Sequence, residues 1–263
     1  MSKNKEHLLE YDGIILKYLS DNEFSWFGIE NLRKANICSD RYLKESLVRL
    51  TKSNHIFRIE KGLYCVRNFR NTYVIANAML NDSSIAYWSA LNLHGLTEQI
   101  PNIVYSQSTY LKQDKKVFNI QYKFVKLKPE KIFGSMQMGY GNEAFKVTDT
   151  EKTLLDCFDL PQYSGGYEEL IRAFYSAKIS SIRLLEYGLQ MNNISVLKRM
   201  AFLSELFKMK GFTRFQQGVL KIMNQKYSLF DPFGEDVGEF DAKWRIRVNV
   251  SKGRLLNIIN KIY

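Results

Sequence analysis

Cysteine and proline are both scarce in this sequence. Its 4 Pro and 15 Gly among 263 residues argue against long disordered or linker segments. The 3 cysteines, Cys38, Cys65 and Cys157, lie far apart and outside any Cys-x-x-Cys or Cys/His cluster. Neither a structural zinc site nor a disulfide framework is therefore predicted. A small, odd number of cysteines is typical of a reducing compartment, so we expect a cytoplasmic protein.

Long apolar runs and the common catalytic motifs are also missing. No stretch reaches the ~18 consecutive apolar residues that indicate a membrane helix, and the N-terminus does not lead into a signal-peptide core. The sequence contains no P-loop, Gly-x-Ser-x-Gly, His-Glu-x-x-His or dinucleotide-binding fingerprint. We therefore predict no membrane partner, no cofactor, no catalytic residues and no enzymatic activity. The alternative from a different class is a nuclease that uses scattered acidic residues.

Asp156 and Asp159 are spaced three residues apart, which would bring both carboxylates to one face of a helix. This spacing raises the possibility of a metal site. Neither a nearby histidine nor a third ligand accompanies the pair, so no metal site is predicted.

The charge of the chain points to a polyanionic partner. The net charge is +11 and the pI about 9.4, which favours nucleic acid. The charge is unevenly distributed, since residues 33–70 hold ten Lys and Arg against three acids. Residues 1–32, by contrast, hold three Lys against six acids. The positive charge near the N-terminus is therefore concentrated in residues 33–70.

The first 54 residues show three helical patterns in succession. Residues 7–20 place apolar side chains at helical spacing and predict a first helix. Residues 25–34 predict a short second helix with Ser25 as its N-cap. Residues 41–54 predict a third helix, which follows a Ser39-Asp40 cap.

The third predicted helix has one apolar face and one charged face. Leu43, Leu47 and Leu50 recur at positions i, i+4 and i+7, so they would face the core. Such a helix is either the recognition helix of a helix-turn-helix or an ordinary surface helix with a solvated face. The opposite, mostly basic face carries Arg41, Lys44, Glu45, Arg49 and Lys52.

The residues that follow this helix favour the recognition helix. Residues 56–59 and 63–66 have the pattern of two strands, and Lys61-Gly62 between them has that of a tight turn. Three helices followed by a hairpin with a basic tip is the order of a winged helix-turn-helix. We therefore predict a winged helix-turn-helix DNA-binding domain over residues 1–70.

Ten residues of this domain are predicted to contact double-stranded DNA. Arg41 would pair with a guanine, and Glu45 would either accept from a cytosine amine or pair with Arg41 or Arg49 across a helical turn. Arg49 belongs to the same basic face. Side chains near the start of a recognition helix reach base edges, and here they are Ser39, Arg41, Tyr42, Lys44 and Glu45. Phosphate contacts, which do not read sequence, are predicted for Lys52, Arg58, Lys61 and Arg67.

Residues 71–263 predict a C-terminal domain of mixed α/β type, which places the whole chain in the α+β class. Its expected parts are a mainly antiparallel sheet over about 71–147, a helical part over about 148–226, and a closing strand and helix over 227–263.

Four local patterns within this domain lead to expectations. Ser83-Ser84 is a predicted helix cap, and alternation over residues 118–124 predicts a half-buried strand. Residues 112–131 hold seven Lys against two acids and form either a second phosphate or partner surface or a solvated sheet face. Residues 229–241 carry five acids and no base, which predicts a solvated loop.

Five short stretches resemble blocks of the AbiEi family of antitoxins, from abortive-infection toxin–antitoxin systems. They follow the order of that family through nearly the whole chain, although Lys152 stands where the family has Arg and Met200-Ala201 departs from its pattern. The stretches are IFRIEKGLYCV (56–66), YWSALNLHGLTEQIP (87–101), VTDTEKTLLDCFDLPQYSGG (147–166), LKRMAFLSEL (197–206) and WRIRVN (244–249).

The resemblance implies an antitoxin that also represses transcription of its own operon. It implies binding to inverted repeats upstream of that operon and antiviral defence through a co-encoded nucleotidyltransferase-like toxin. It further implies that the toxin is counteracted without a stable complex; direct masking of the toxin and a stand-alone winged-helix regulator are the alternatives. We expect a monomer or weak dimer that pairs on DNA.

Overall fold

The chain has the α+β architecture that the sequence predicts. The computed structural model describes the backbone of residues 3–260 and the side chains of residues 10–260. Within this range the chain forms eleven α-helices and three β-sheets, with both antiparallel and parallel strand pairs. None of the described helices combines the length and the apolar character needed to span a bilayer.

The N-terminal part combines three helices with a small antiparallel sheet. Strand β3 lies in the middle of this sheet, and β1 and β2 flank it. The bounds of α3 and of the β2–β3 hairpin agree with the sequence prediction to within two residues. The elements are α1 (Lys3–Asp21), β1 (Trp26–Gly28), α2 (Ile29–Lys34), α3 (Asp40–Lys52), β2 (Ile56–Glu60) and β3 (Leu63–Val66).

The predicted helix over residues 25–34 is wrong in its first turn. Trp26–Gly28 form a strand instead, because their backbone pairs with residues 63–65 of β3. Helix α2 therefore begins only at Ile29, and Ser25 is not its N-cap. A pairing partner almost forty residues away outweighs the local helical pattern.

A compact apolar core holds the three helices and the hairpin together. The leucine stripe of α3 supplies much of it, as its spacing predicts. Burying one leucine contributes roughly 1.5–3 kcal/mol, so three on one face fix the rotation of α3 about its axis. The buried members of this core are Ile15, Leu19, Phe27, Leu32, Leu43, Leu47, Leu50 and Ile56.

The β2–β3 hairpin has buried side chains on both of its faces. Ile56 faces the helical core, whereas Ile59, Leu63 and Cys65 join a second core beneath the large sheet. Gly62 in the hairpin turn has φ +79°, a conformation that glycine adopts without strain. The N-terminal part is thus packed directly against the rest of the chain.

A six-stranded sheet occupies the middle of the chain, in the order β6-β7-β5-β4-β9-β8. Helix α4 (Thr72–Met79) packs on the side of the second core, and α5 (Tyr87–Leu93) contacts the helical part. The strands are β4 (Ser83–Ile85), β5 (Ile103–Ser108), β6 (Lys115–Val117), β7 (Ile120–Lys126), β8 (Ser135–Met138) and β9 (Phe145–Thr148).

The six-stranded sheet is mixed, and antiparallel pairs are in the majority, as the sequence predicts. The β5–β7 and β4–β9 pairs are parallel, and the other three pairs are antiparallel. Strands β5 and β7 are parallel because the tight β6–β7 hairpin reverses the chain, so that β7 runs alongside β5 in the same direction.

Two local predictions in this sheet need correction. Ser83 and Ser84 do not cap a helix, because their backbone pairs with β5 and makes them part of β4. The strand predicted over residues 118–124 begins at Ile120. Phe118 and Asn119 form the β6–β7 turn, with φ of 49° and 65°.

The last part of the chain is mostly helical and ends in a small sheet and a helix. Its buried side chains form one continuous core with those of α5. The elements are α6 (Thr150–Asp159), α7 (Tyr167–Ser176), α8 (Ser181–Met191), α9 (Ile194–Leu206), α10 (Thr213–Ile222), β10 (Ser228–Leu229), β11 (Glu239–Asp241), β12 (Ile246–Val248) and α11 (Lys252–Asn260).

Candidate nucleic-acid interface

Helix α3 presents a charged stripe to solvent on the side opposite its leucines. Arg41, Lys44, Val48 and Lys52 recur every three or four residues and are all exposed. The Arg41 side chain is 85% exposed and that of Lys44 is 60% exposed. Ser39 stands at the N-cap position beside them, and its side chain makes no capping hydrogen bond.

Two cations of this stripe, Arg41 and Lys44, form exposed ion pairs. Glu45 pairs with Arg41 at 3.2 Å, which is one of the two roles that the sequence leaves open for Glu45. Lys44 pairs with Asp40 at 2.5 Å, and Arg33 also reaches Asp40. The hydrogen bond from Lys44, followed by that from Arg33, lowers the pKa of the Asp40 carboxyl. Because exposed pairs stabilise a fold little, Arg41 and Lys44 can exchange a carboxylate for a phosphate or a base edge.

Two of the predicted DNA-contacting residues lie on the flank of α3 that faces α1. The Tyr42 ring stacks on the Tyr11 ring, with 5.7 Å between centroids. The Arg49 guanidinium donates to the Asp12 carboxylate and to the Ser46 hydroxyl. Tyr42 and Arg49 therefore brace α3 against α1 and stand apart from the exposed stripe.

The cations of the β2–β3 hairpin lie at its two opposite ends. Lys61 is exposed in the turn, and Arg58 is exposed near it, with its Nε donating to the Glu60 carbonyl at 3.2 Å. Arg67 follows β3 at the opposite end of the hairpin, where it lines a surface cavity with His55. A strand rises by about 3.3 Å per residue, so Arg67 and Lys61 lie too far apart to contact one phosphate.

The hairpin is fixed against the large sheet by a stacked arginine. Arg70 lies over the Phe57 ring of β2 at 4.8 Å and over the Phe118 ring of the β6–β7 turn at 4.2 Å. The two rings themselves meet edge to face, 5.7 Å apart. Such cation–π contacts contribute roughly 0.5–2 kcal/mol each, and here they join the N-terminal part to the sheet.

A second contact comes from the loop between β8 and β9. The Trp26 indole donates to the Asn142 carbonyl at 2.6 Å, and the Asn142 amide donates to the Glu23 carbonyl at 3.1 Å. The Ser25 hydroxyl donates to the Glu143 carboxylate at 2.7 Å. Together with Arg70, this loop sets the direction in which α3 and the hairpin turn face outward.

Two residues of this surface are absent from the sequence prediction. Arg33 is exposed at the end of α2 and reaches Asp40 at the start of α3. Val48 is 54% exposed in the middle of the charged stripe. The sequence does carry a signal for Val48, since it lies four residues after Lys44 and four before Lys52. An apolar residue on the charged face of an amphipathic helix is the pattern that reveals it.

A second cluster of charged side chains lies deep in the helical part. Lys152 and Asp156, one turn apart on α6, form an ion pair whose side chains are 0% and 1% exposed. The Lys152 ammonium also lies 4.9 Å from the centroid of the Phe133 ring. Burial raises the pKa of Asp156 to about 6, and Lys152 opposes this shift. Because the pair is closed off from solvent, it has the character of a structural element.

Asp159 does not share a cation with Asp156. Its carboxylate accepts from the Lys131 ammonium at 2.5 Å and from the Asn193 amide at 2.6 Å. Within the part of the chain that the structure describes, no three His, Cys, Asp or Glu side chains form a group that could hold a metal ion.

Comparisons with known proteins bear on the fold. No family model and no curated protein matches this sequence. Among solved structures, the chain is similar to the crystal structure of the RV2827C protein from Mycobacterium tuberculosis, with a TM-score of 0.70 and 13% sequence identity. The similarity covers 96% of this chain and 95% of that one. The two proteins therefore share a fold over nearly their whole length, and at this identity the likeness shows the fold alone.

Proposed function

We propose that this protein is a DNA-binding transcription regulator whose residues 1–70 form a winged helix-turn-helix. The order of α1, α2, α3 and the β2–β3 hairpin supports this assignment. The observation that carries the proposal is the position of Arg41, Lys44 and Lys52, which lie exposed on α3 while its leucines anchor it to the core. In this proposal α3 is the recognition helix and the hairpin is the wing.

The mechanism follows from the dimensions of the major groove, which admits one α-helix. Arg41 would leave Glu45 and form two hydrogen bonds to a guanine, and the released Glu45 would accept from a cytosine amine. Ser39 and Lys44 lie near the same end of α3 and would reach neighbouring positions. Phosphate contacts would come from Lys52, Arg58, Lys61 and Arg67, which fix the protein on the duplex without reading sequence.

We further propose that the regulator is a cytoplasmic, non-enzymatic antitoxin of the AbiEi type that represses its own operon. The resemblance supports this reading, because it extends from the hairpin (56–66) to the final strand (244–249). The partners would be inverted repeats upstream of the operon and a co-encoded nucleotidyltransferase-like toxin. Co-expression with that toxin separates the alternatives: rescue of growth without co-purification supports the proposal, whereas a stable complex indicates direct masking.

The DNA-binding proposal is tested by fluorescence anisotropy on the duplex upstream of the gene, with a scrambled duplex as control and a series of salt concentrations. We expect selective binding with a steep salt dependence. Arg41→Ala and Lys44→Ala should abolish selectivity without unfolding the protein. Arg214→Ala is a matched control, because Arg214 is exposed at the second position of α10 just as Arg41 is at the second position of α3. Equal, weak binding to both duplexes would contradict the proposal.

A further inference from the structure

The hairpin carries an acidic residue where the proposed function requires positive charge. Glu60 ends β2 and directly precedes Lys61 in the turn. A free carboxylate at this position would repel a DNA phosphate approaching Lys61. Its local surroundings therefore decide whether the wing can contact a DNA backbone.

Two lysines from a distant part of the chain surround this carboxylate. The Lys112 ammonium donates to both Glu60 oxygens, at 3.0 and 3.2 Å, and the Lys115 ammonium donates to one of them at 3.3 Å. Their side chains are 21% and 35% exposed, so both retain access to solvent. One negative charge is thus matched by two positive charges, and Lys61 adds a third beside them.

The packing of the sheet holds the two lysines in place. Lys115 belongs to β6, and Val117, on the same side of that strand, is buried in the core that also contains Ile59 and Leu63 of the hairpin. The Lys112 ammonium lies 5.7 Å from the centroid of the Phe124 ring. The lysines are therefore positioned before any partner binds, which reduces the entropy lost on contact.

We propose that Lys112 and Lys115 are part of the DNA-binding surface, which continues from the hairpin turn onto the edge of the six-stranded sheet. In this arrangement they neutralise Glu60 and contact backbone phosphates that flank the segment read by α3. The inference rests on the proposed function and extends it, because it assigns one end of the basic segment 112–131 to phosphate binding. Lysine suits this role, since it offers a compact charge and no planar fork for reading bases.

The test uses the full chain and the same two labelled duplexes. Lys115→Ala should weaken binding to the upstream and scrambled duplexes by the same factor. It should also lower the slope of log affinity against log salt by about one unit. Lys115→Arg should restore the slope, because it retains the charge. Lys221→Ala, at an exposed lysine in the last turn of α10, is the matched control and should leave the slope unchanged.

Glu60→Gln provides an independent arm, because it removes the negative charge and keeps the shape of the side chain. We expect this variant to bind both duplexes more tightly than the wild type. If the lysines serve only as a brace for the hairpin, Lys115→Ala will lower the melting temperature and leave the salt slope unchanged, and that result would overturn the inference. Lys115→Gln, which retains most of the side-chain stem, repeats the measurement with less loss of packing.

Failure of the inference can be told apart from failure of the proposed function. If the wild-type protein does not discriminate between the duplexes, the proposed function is wrong, and the inference fails with it. The wild-type protein can instead discriminate between the duplexes, with Lys61→Ala lowering the salt slope and Lys115→Ala leaving it unchanged. That result would refute the inference and leave the proposed function standing.

Discussion

The Arg49 guanidinium forms two hydrogen bonds with the Asp12 carboxylate, from Nε to Oδ2 at 2.9 Å and from Nη2 to Oδ1 at 2.7 Å. This two-point pair joins α3 to α1 and lies next to the Tyr11–Tyr42 stack. The hydrogen bond with Asp12 raises the pKa of Arg49, so the arginine stays charged. The contact gives α3 a fixed tilt on the N-terminal core.

Arg49→Ala is expected to lower the free energy of unfolding, because it removes both hydrogen bonds of a planar, part-buried ion pair. We expect a loss of about 1–2 kcal/mol, which allows for partial solvent screening. Arg49→Lys should recover only part of it, since lysine cannot form the planar fork. Urea unfolding measures the effect. Unchanged stability together with lost DNA binding would instead place Arg49 at the DNA interface.

In the proposed complex with DNA, Val48 would contact the methyl group of a thymine, because it is the exposed apolar residue on the charged stripe of α3. Replacing that thymine by deoxyuracil removes one methyl, which should weaken wild-type binding by about fourfold, or roughly 0.8 kcal/mol.

A double-mutant cycle isolates the Val48 contact. In Val48→Ala the exchange of thymine for deoxyuracil should have little effect, because the partner of the methyl is already gone. Binding-site selection from random duplexes identifies the thymine to replace. A loss of the same size in both proteins would show that Val48 does not contact the methyl.

The buried Lys152–Asp156 pair should stabilise the fold only as a pair. Lys152→Met leaves an unpaired carboxylate in the core and is expected to cost about 3–5 kcal/mol. The double variant Lys152→Met with Asp156→Leu should recover most of that loss, because no buried charge is left without a partner. Chemical denaturation of the two variants and the wild type measures the difference. Equal losses in the single and double variants would argue against this account.

Asp156 should also make stability depend on pH. Its pKa in the folded chain is about 6, above the value of about 3.9 expected for an unfolded Asp. The folded state therefore binds a proton more readily than the unfolded state does. The free energy of unfolding should thus fall as the pH rises from about 4 to about 6. Subtracting the pH profile of the Lys152→Met, Asp156→Leu double variant isolates this contribution, and a flat difference would contradict it.

Local sequence patterns were sufficient to predict those helices and strands whose stabilising contacts join residues close together in the sequence. Helix α3 follows from its Ser-Asp start and its leucine spacing, and the hairpin follows from two strand patterns around Lys61-Gly62. These signals are strong because the helix stripe and the hairpin register both arise within about fifteen residues. The prediction failed at Trp26–Gly28 and at Ser83–Ile85. Both segments are strands because they pair with β3 and β5, partners about twenty to forty residues away.

The candidate site was predictable in part for the same reason. Spacing alone places Arg41, Lys44 and Lys52 opposite the leucines, and the structure has them exposed. Spacing could not show that Tyr42 and Arg49 turn toward α1, since this depends on the angle at which α1 crosses α3. Nor could it bring Lys112 and Lys115 to Glu60, because more than fifty residues separate them.

The sequence by itself determined the α+β class, the amphipathic third helix with its hairpin, and the concentration of positive charge in residues 33–70. These properties depend on composition and on side-chain periodicity, which can be read from short stretches of sequence. Only the tertiary structure decided which cations hold α3 against α1 and which ones surround Glu60. Those outcomes depend on long-range packing, because a charge acquires its role from the residues that folding brings within a few ångströms of it.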